Sequence, residues 1–466
     1  MRRRTLVRAA SAGLALMFVA AACGDDSGSS SATTGAAAAT SAAAGTTAAG
    51  AATTAAGAAT TAAGSAALFK VPTTNCPSDV STPLADGADI VLGMTVPLTG
   101  PLAAFGAIPQ GMNAVFAKVN EAGGIDGHKV TLVAKDDAYD PTKTPPLATE
   151  LVEKDHVLAS VFQVGTPNVA ATQKIFEEAC TPQLFVATGF PNWGDPAHHP
   201  WTIGGIMAYN SEAVMWGEFI AAKKPGAKIA ELTFDNDFGK VYSTTMTQVA
   251  KDKGFTIVDA ELHEGTDTSI DNQITKILAS NPDVVLGETT GAFCPKLMAG
   301  LAAGGYKGIT IISYTCASVA SFFKPVDPAG NGVYLLLQQK DPSDPQYAND
   351  PAVVQYKADI AKYGGGADPN NGQILTGYDV GLQVVDTLTR AAAMDGGLTH
   401  ENVMNAAWST NFTLPLLLGG KFHVDGTTDA YGIEYAQMGQ YDASKGSQVQ
   451  TGDVFDIEGK SGVFAG

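Results

Sequence analysis

Strand-like and helix-like stretches alternate along this chain in two separate series, and that alternation limits the fold more than any other feature. In "DIVLGMTVPLTG" an apolar run from Ile90 to Val96 ends in a Pro/Gly loop, as a buried strand does. In "GAIPQGMNAVFAKVNEAGGIDG", Met112, Val115, Phe116 and Val119 share one helical face, and Gly123-Gly124 stop the helix. "HKVTLVAKDD" reads as a strand, "PPLATELVEKD" as a helix with prolines at its front, and "VLASVFQ" as a strand. The rhythm restarts at "AKIAELTFDND" and runs through "YSTTMTQVAKDKG", "FTIVDAEL", "IDNQITKILASNP", "DVVLGE" and "CPKLMAGLAAGG" to "GITIISY". The expected fold is α/β, with two doubly wound parallel-sheet lobes. Later elements, including a helix from about Thr376 to Ala393, are too few for a third domain and are expected to complete the first two.

The chain before this pattern is of another kind. Arg2, Arg3, Arg4 and Arg8 precede an apolar stretch, Leu14 to Ala22, that is shorter than the ~20 residues of a membrane-spanning helix. Small residues Ala20 to Ala22 then meet Cys23. This resembles the bacterial lipoprotein box, with residues 1–22 as signal peptide and Cys23 as the lipidated residue; an ordinary signal peptide followed by a chance cysteine is the alternative. From Ser27 to Ala66 there is no aromatic and no charge, so the segment cannot bury enough surface to offset its ordering entropy. Residues 23–66 read as a disordered tether with a reach on the order of 35 Å.

Charge and cysteines narrow the function. Acids outnumber bases 46 to 28, for a net charge of −18, which argues against nucleic acid as a partner. With Cys23 set aside, four cysteines remain. Cys294 and Cys316 follow successive strands of the second series, so their exit loops can meet; Cys76 and Cys180 flank the first series. Disulfides Cys294–Cys316 and Cys76–Cys180 are expected, with four free buried thiols as the alternative. No H-E-x-x-H, G-x-S-x-G, Walker loop or C-x-x-C occurs, so no enzyme activity and no cofactor is expected. His198-His199 read as a surface turn, and "DNDFGK" lacks the acids of a calcium loop, so no metal is expected.

Five stretches, in the same order from about Asp86 onward, resemble the type 1 periplasmic binding proteins, and among them the branched-chain amino acid-binding subunits of ABC transporters. They are "MTVPLTGPLAAFG", "VNEAGGIDGHKVTLVAKDDAYDP", "VGTPNVAATQKIFEEACTPQLFVATG", "TFDNDFGKVY" and "KFHVDGTT". The resemblance implies three hinge crossings, near Tyr209, Gln338 and Tyr431, with lobe 1 over 86–208 and 338–430 and lobe 2 over 209–337 and 431–466. It implies a small-molecule ligand in the cleft, ABC permease subunits as partners, a monomer, and an extracytoplasmic place on the membrane through the N-terminal lipid. A tethered sensor signalling to a membrane partner is the competing function.

Ligands of open α/β sheets lie beyond the carboxyl ends of the strands. Gly165 lets backbone approach a ligand there, and Thr166 offers a hydroxyl at a helix N-terminus, where the family binds a carboxylate; Thr166 as a mere helix cap is the other reading. The strand end from Ala187 to Phe190 supplies a second loop, where the resemblance implies backbone N–H and C=O contacts to the ligand at Thr188, Gly189 and Phe190; a Gly-containing turn with a buried Phe is the other reading. Phe105, Tyr209, Phe238 and Phe293 fall where the family places aromatics around the ligand side chain, although aromatics at strand ends are often plain core. Where the family carries an acid that pairs with the ammonium, this chain has uncharged Thr315. Glu288 or Asp235 is then the candidate substitute. The solute is therefore expected to be amino acid-like, with an amide, a ureido compound or a small carboxylic acid as the alternative.

Overall fold

The structure is a computed structural model that describes residues 69–461. The expected leader, the Cys23 lipidation site and the whole tether lie outside the described residues. The folded part belongs to one compact unit, Gly64–Gly466.

The first series folds as β1 (Ile90–Val96), α1 (Ile108–Glu121), β2 (Val130–Asp136), α2 (Thr144–Glu153), β3 (Ala159–Val161), α3 (Thr166–Glu178), β4 (Gln183–Val186) and β5 (Thr202–Gly204). These strands make a parallel sheet in the order β2-β1-β3-β4-β5. Strand β1 is covered on both faces: Leu92, Met94 and Val96 on one are fully buried, and Gly93 and Thr95 on the other are buried too.

The second series gives α4 (Tyr209–Lys223), β6 (Lys228–Phe234), α5 (Asp237–Lys253), β7 (Thr256–His263), α6 (Asp271–Ala279), β8 (Val284–Glu288), α7 (Phe293–Ala303), β9 (Ile309–Ile312) and β10 (Tyr334–Leu337). The chain then supplies α8 (Pro351–Tyr363), α9 (Gly372–Ala392), α10 (His400–Ala407) and a small hairpin of β11 (Asn411–Thr413) and β12 (Lys421–His423). It ends in the antiparallel pair β13 (Tyr435–Asp442) and β14 (Ser447–Asp456). The second sheet runs β14-β13-β10-β9-β8-β6-β7. The final hairpin was not read from the sequence; it adds antiparallel strands to an otherwise parallel sheet.

The chain passes between the lobes after β5, after β10 and before β13. Helices α8 and α9 return to the first lobe, where Lys118 of α1 pairs with Asp359 of α8 at 2.7 Å. Helices α1 and α9 touch backbone to backbone. A Cβ at Gly111 would lie 2.0 Å from the Ile374 carbonyl oxygen, and one at Gly377 would lie 1.9 Å from that of Ile108. Cys76 is joined to Cys180, and Cys294 to Cys316, with Cα atoms 5.5 and 6.4 Å apart. Among the described residues, no helix is long and apolar enough to cross a membrane.

Candidate ligand-binding cleft

The two sheets face each other across a cleft whose rims touch. Tyr139, after β2, stacks on Phe234 at the end of β6 with ring centroids 5.9 Å apart. The Ala292 N–H donates to the Pro101 carbonyl at 3.0 Å. At the other rim, the Gly372 N–H donates to Ser318 Oγ at 3.2 Å. These contacts join the lobes, and between them lies a partly open cavity of about 150 Å³. A cavity of about that size lined by Leu, Ile and Phe holds a benzene-sized body.

Six of the sequence-predicted residues line this cavity: Phe105, Gly165, Ala187, Tyr209, Phe238 and Thr315. The others do not. Thr166 is buried, and its hydroxyl lies 2.6 Å from that of Thr188. It opens α3 rather than capping it: the N-cap is Gly165, whose carbonyl accepts from the Val169 N–H at 2.9 Å. Pro167 follows within the first turn, as helix starts favour. The Tyr209 hydroxyl meets the Gly189 N–H and the Thr188 and Thr166 hydroxyls; burial, against those bonds, pushes it up to about 12. The groups that the resemblance assigns to a carboxylate are thus held by one another and by a tyrosine. Thr188, Gly189 and Phe190 border a small side hollow next to Tyr431 instead of the main cavity.

Glu288 and Phe293 sit in the core of the second lobe. Thr233 Oγ1 donates to Glu288 Oε2 at 2.7 Å, and burial, with the charge of Glu231, pushes the Glu288 carboxyl up. The Phe293 ring packs 4.2 Å from that of His263, because Phe293 opens α7 on its inward face. Asp235 precedes Asn236, which caps α5 by accepting from the Phe238 and Gly239 N–H groups. Neither Glu288 nor Asp235 lines the cavity.

A family profile described as "Periplasmic binding protein" matches residues 89–446, more than half of the chain. The chain belongs to the type 1 periplasmic binding protein family. Members of this family are substrate-binding proteins, not enzymes. An amino acid binding protein of Pseudomonas aeruginosa is 27% identical over 207 residues, 42% of this chain and 53% of that protein. The chain spans about half, or less, of the length of the curated relatives it matches. Among solved structures, the fatty acid ABC transporter substrate-binding protein from Thermomonospora curvata aligns with a TM-score of 0.70 at 22% identity, over 81% of this chain and 95% of that one. A branched chain amino acid ABC transporter protein from Thermus thermophilus with bound valine aligns with a TM-score of 0.71 at 17% identity, over 80% and 97%. At these identities the likeness establishes the fold.

For a type 1 periplasmic binding protein, the walls between the lobes decide what is held. Much of the wall in this chain was not read from the sequence. Tyr139 and Phe162 line it with φ of 60° and 47°, a left-handed backbone that bulky residues rarely adopt. Leu336 and Leu337 come from the end of β10, Gln338 and Gln339 from the crossing after it, and Asp379 and Gln383 from α9. The available signal was polar residues within the buried face of a helix rich in Ile, Leu and Val. Away from the cavity, His423, Asp429 and Glu458 each place one ligand atom within 4.8 Å of the others and could hold a metal ion. Lys421 already pairs with Glu458 there. His198 pairs with Asp195 at 2.6 Å in its turn.

Proposed function

We propose that this chain is the extracytoplasmic solute receptor of an ABC importer, tied to the membrane through lipidated Cys23, and that its lobes close on one small amphipathic solute. The observation that carries this reading is the cavity of about 150 Å³ between the lobes, with Phe105, Phe162, Leu336 and Leu375 among its walls and a few polar groups between them. Small-molecule sites are mostly apolar, with a small number of placed polar atoms for orientation. A benzene-sized volume suits the side chain of a hydrophobic amino acid or a compact acid or amide.

In this reading Phe105, Gly165, Ala187, Tyr209, Phe238 and Thr315 contact the solute. Lobe closure is stabilised by contacts available only when both rims meet, so solute and closure favour each other. A thermal-shift screen of hydrophobic amino acids, small carboxylates and small amides tests the receptor. A ligand at 100 times its dissociation constant adds about 2.7 kcal/mol of stability. If no compound of these classes shifts the unfolding midpoint, the reading fails. Metabolic labelling with a fatty acid probe tests the anchor: Cys23→Ala should abolish labelling and release the protein.

A further inference from the structure

Among the described residues that line the cavity, four side-chain atoms have no hydrogen-bond partner: Thr290 Oγ1, Gln338 Nε2, Asp379 Oδ1 and Gln383 Nε2; the last two belong to one helix. Asp379 and Gln383 stand four residues apart on α9, so their side chains share one face of the helix. They are 2% and 1% exposed, and both line the cavity. Asp379 Oδ2 accepts from Gln339 Nε2 at 2.9 Å, while its Oδ1 has no hydrogen-bond partner. Gln383 Nε2 is likewise without an acceptor. A buried polar group left unpaired costs stability, and such groups are rare in folded proteins. Here a carboxylate oxygen and an amide N–H, one acceptor and one donor, belong to residues one turn apart on α9 that both line a mostly apolar cavity.

We infer that Asp379 and Gln383 form a subsite for a neutral carboxamide-type group, whose N–H donates to Asp379 Oδ1 and whose carbonyl accepts from Gln383 Nε2. This rests on the reading of the cavity as the solute site and names the solute class. One amide offers a donor and an acceptor on neighbouring atoms, matching the pair. A carboxylate in the same place presents only acceptors, and one of them faces the Asp379 oxygen. Burial pushes the Asp379 carboxyl up to about 7, against the pull of Gln339 and Lys340. A charged partner is therefore not needed to hold the site together, and a neutral donor meets it without a second buried charge.

The test uses two isosteric pairs, benzamide against benzoate and isovaleramide against isovalerate, with L-leucine alongside, in calorimetry at pH 8. The wild-type protein should bind each amide at least tenfold more tightly than its acid. Asp379→Asn keeps an oxygen for Gln339 and turns the cavity-facing acceptor into a donor, so it should reverse that preference. Gln383→Leu should weaken amide binding at least tenfold while leaving the ligand-free unfolding midpoint unchanged or raised, because it removes an unpaired buried amide. That combination separates the subsite from a general folding role. Equal binding of amide and acid, or an amide-to-acid ratio that Asp379→Asn moves by less than threefold, overturns the inference. Binding of L-leucine that neither substitution weakens overturns it as well, and leaves the receptor reading standing. If neither amide binds the wild-type protein, the inference fails, and the thermal-shift screen decides the receptor reading separately.

Discussion

Gly165→Ala tests whether the cleft is built as described. Gly165 has φ 106° and ψ 128°, a region essentially closed to residues with a Cβ. The cost of that backbone alone is about 1–3 kcal/mol. A Cβ there would also lie 2.5 Å from Tyr139 Cε2 and 2.7 Å from Asn168 Oδ1. Neither neighbour yields easily. Tyr139 is stacked on Phe234 of the other lobe, and Asn168 is fully buried, with its Nδ2 donating to Thr144 Oγ1 at 2.8 Å and Asp137 Oδ2 at 3.1 Å. Overpacking of this kind adds about 1–3 kcal/mol. The smaller conformational freedom of unfolded Ala returns about 0.4–1 kcal/mol. The net expectation is a loss of roughly 2–5 kcal/mol. Gly123→Ala is the control, because Gly123 has φ 111° and nothing within 4 Å of its would-be Cβ. Urea unfolding of the two variants and the wild type separates backbone strain from collision. Gly165→Ala should exceed the control by about 1–3 kcal/mol. It should also weaken solute binding, because the displaced Tyr139 ring is a closure contact. Equal losses in the two variants would refute the collision argument.

Two further outcomes follow from the same geometry. Thr166→Val removes the hydroxyl that meets Thr188 and Tyr209 and should cost about 1–2 kcal/mol of stability, while solute affinity stays within threefold; a tenfold loss of affinity in calorimetry would mean that the hydroxyl meets the solute after all. Burial raises the carboxyls of Glu212 to about 8, Asp379 to about 7 and Asp137 to about 6. Each keeps in the folded state a proton that the unfolded chain releases near its ordinary value, so stability present at low pH is lost as pH rises through about 5–8. His263, lowered to about 4 by burial, acts oppositely, but only below its ordinary value near 6.5. The unfolding midpoint should therefore fall between pH 6.5 and 8, by an amount on the order of a few kcal/mol at ~1.4 kcal/mol per pH unit and proton. Glu212→Gln should flatten that slope, and an unchanged slope rejects this assignment.

The parallel sheets were legible because strands buried on both faces read as unbroken apolar runs, as Ile90–Val96 and "DVVLGE" do. The α4 helix was not read, because its buried positions include Ser211, Glu212 and Gly217 as well as Met215, Trp216, Phe219 and Ile220, so burial does not follow an apolar period. The β13–β14 pair escaped because "YAQMGQYD" mixes polar and apolar residues, as a strand with both buried and half-exposed positions does. At the cleft, the rule that ligands sit beyond strand ends found Gly165, Ala187, Phe238 and Thr315. It also pointed to Glu288 and Phe293, which differ from them only in direction: one side chain meets Thr233 and the other His263 inside the lobe. Direction is not written in strand-end spacing. The rule has nothing to say about α9, which reaches the cavity only because the chain returns to the first lobe after β10.

The buried acids divide by what satisfies them, and that division links the cleft to the hinge. Glu212 gives its oxygens to Tyr242, Ser313 and the Tyr314 N–H, all within the second lobe. Asp137 is held by the Tyr139 N–H, Thr144 and Asn168 within the first. Asp379, like Glu288, uses only one of its oxygens, but its partner is Gln339 in the crossing after β10 rather than a neighbour within the same sheet. Gln339 in turn accepts from Thr376 Oγ1 at 2.8 Å, one turn before Asp379 on the same helix. The crossing is thus pinned to α9 by both ends of one amide. The first turn of α9 also carries the Gly372 N–H that bonds Ser318 across the rim. A solute group that meets Asp379 Oδ1 therefore touches the residue that fixes the hinge crossing, on the helix that closes the far rim. Binding there favours the closed arrangement through contiguous hydrogen bonds, and an open form that pulled Gln339 away would leave both Asp379 oxygens without a protein partner.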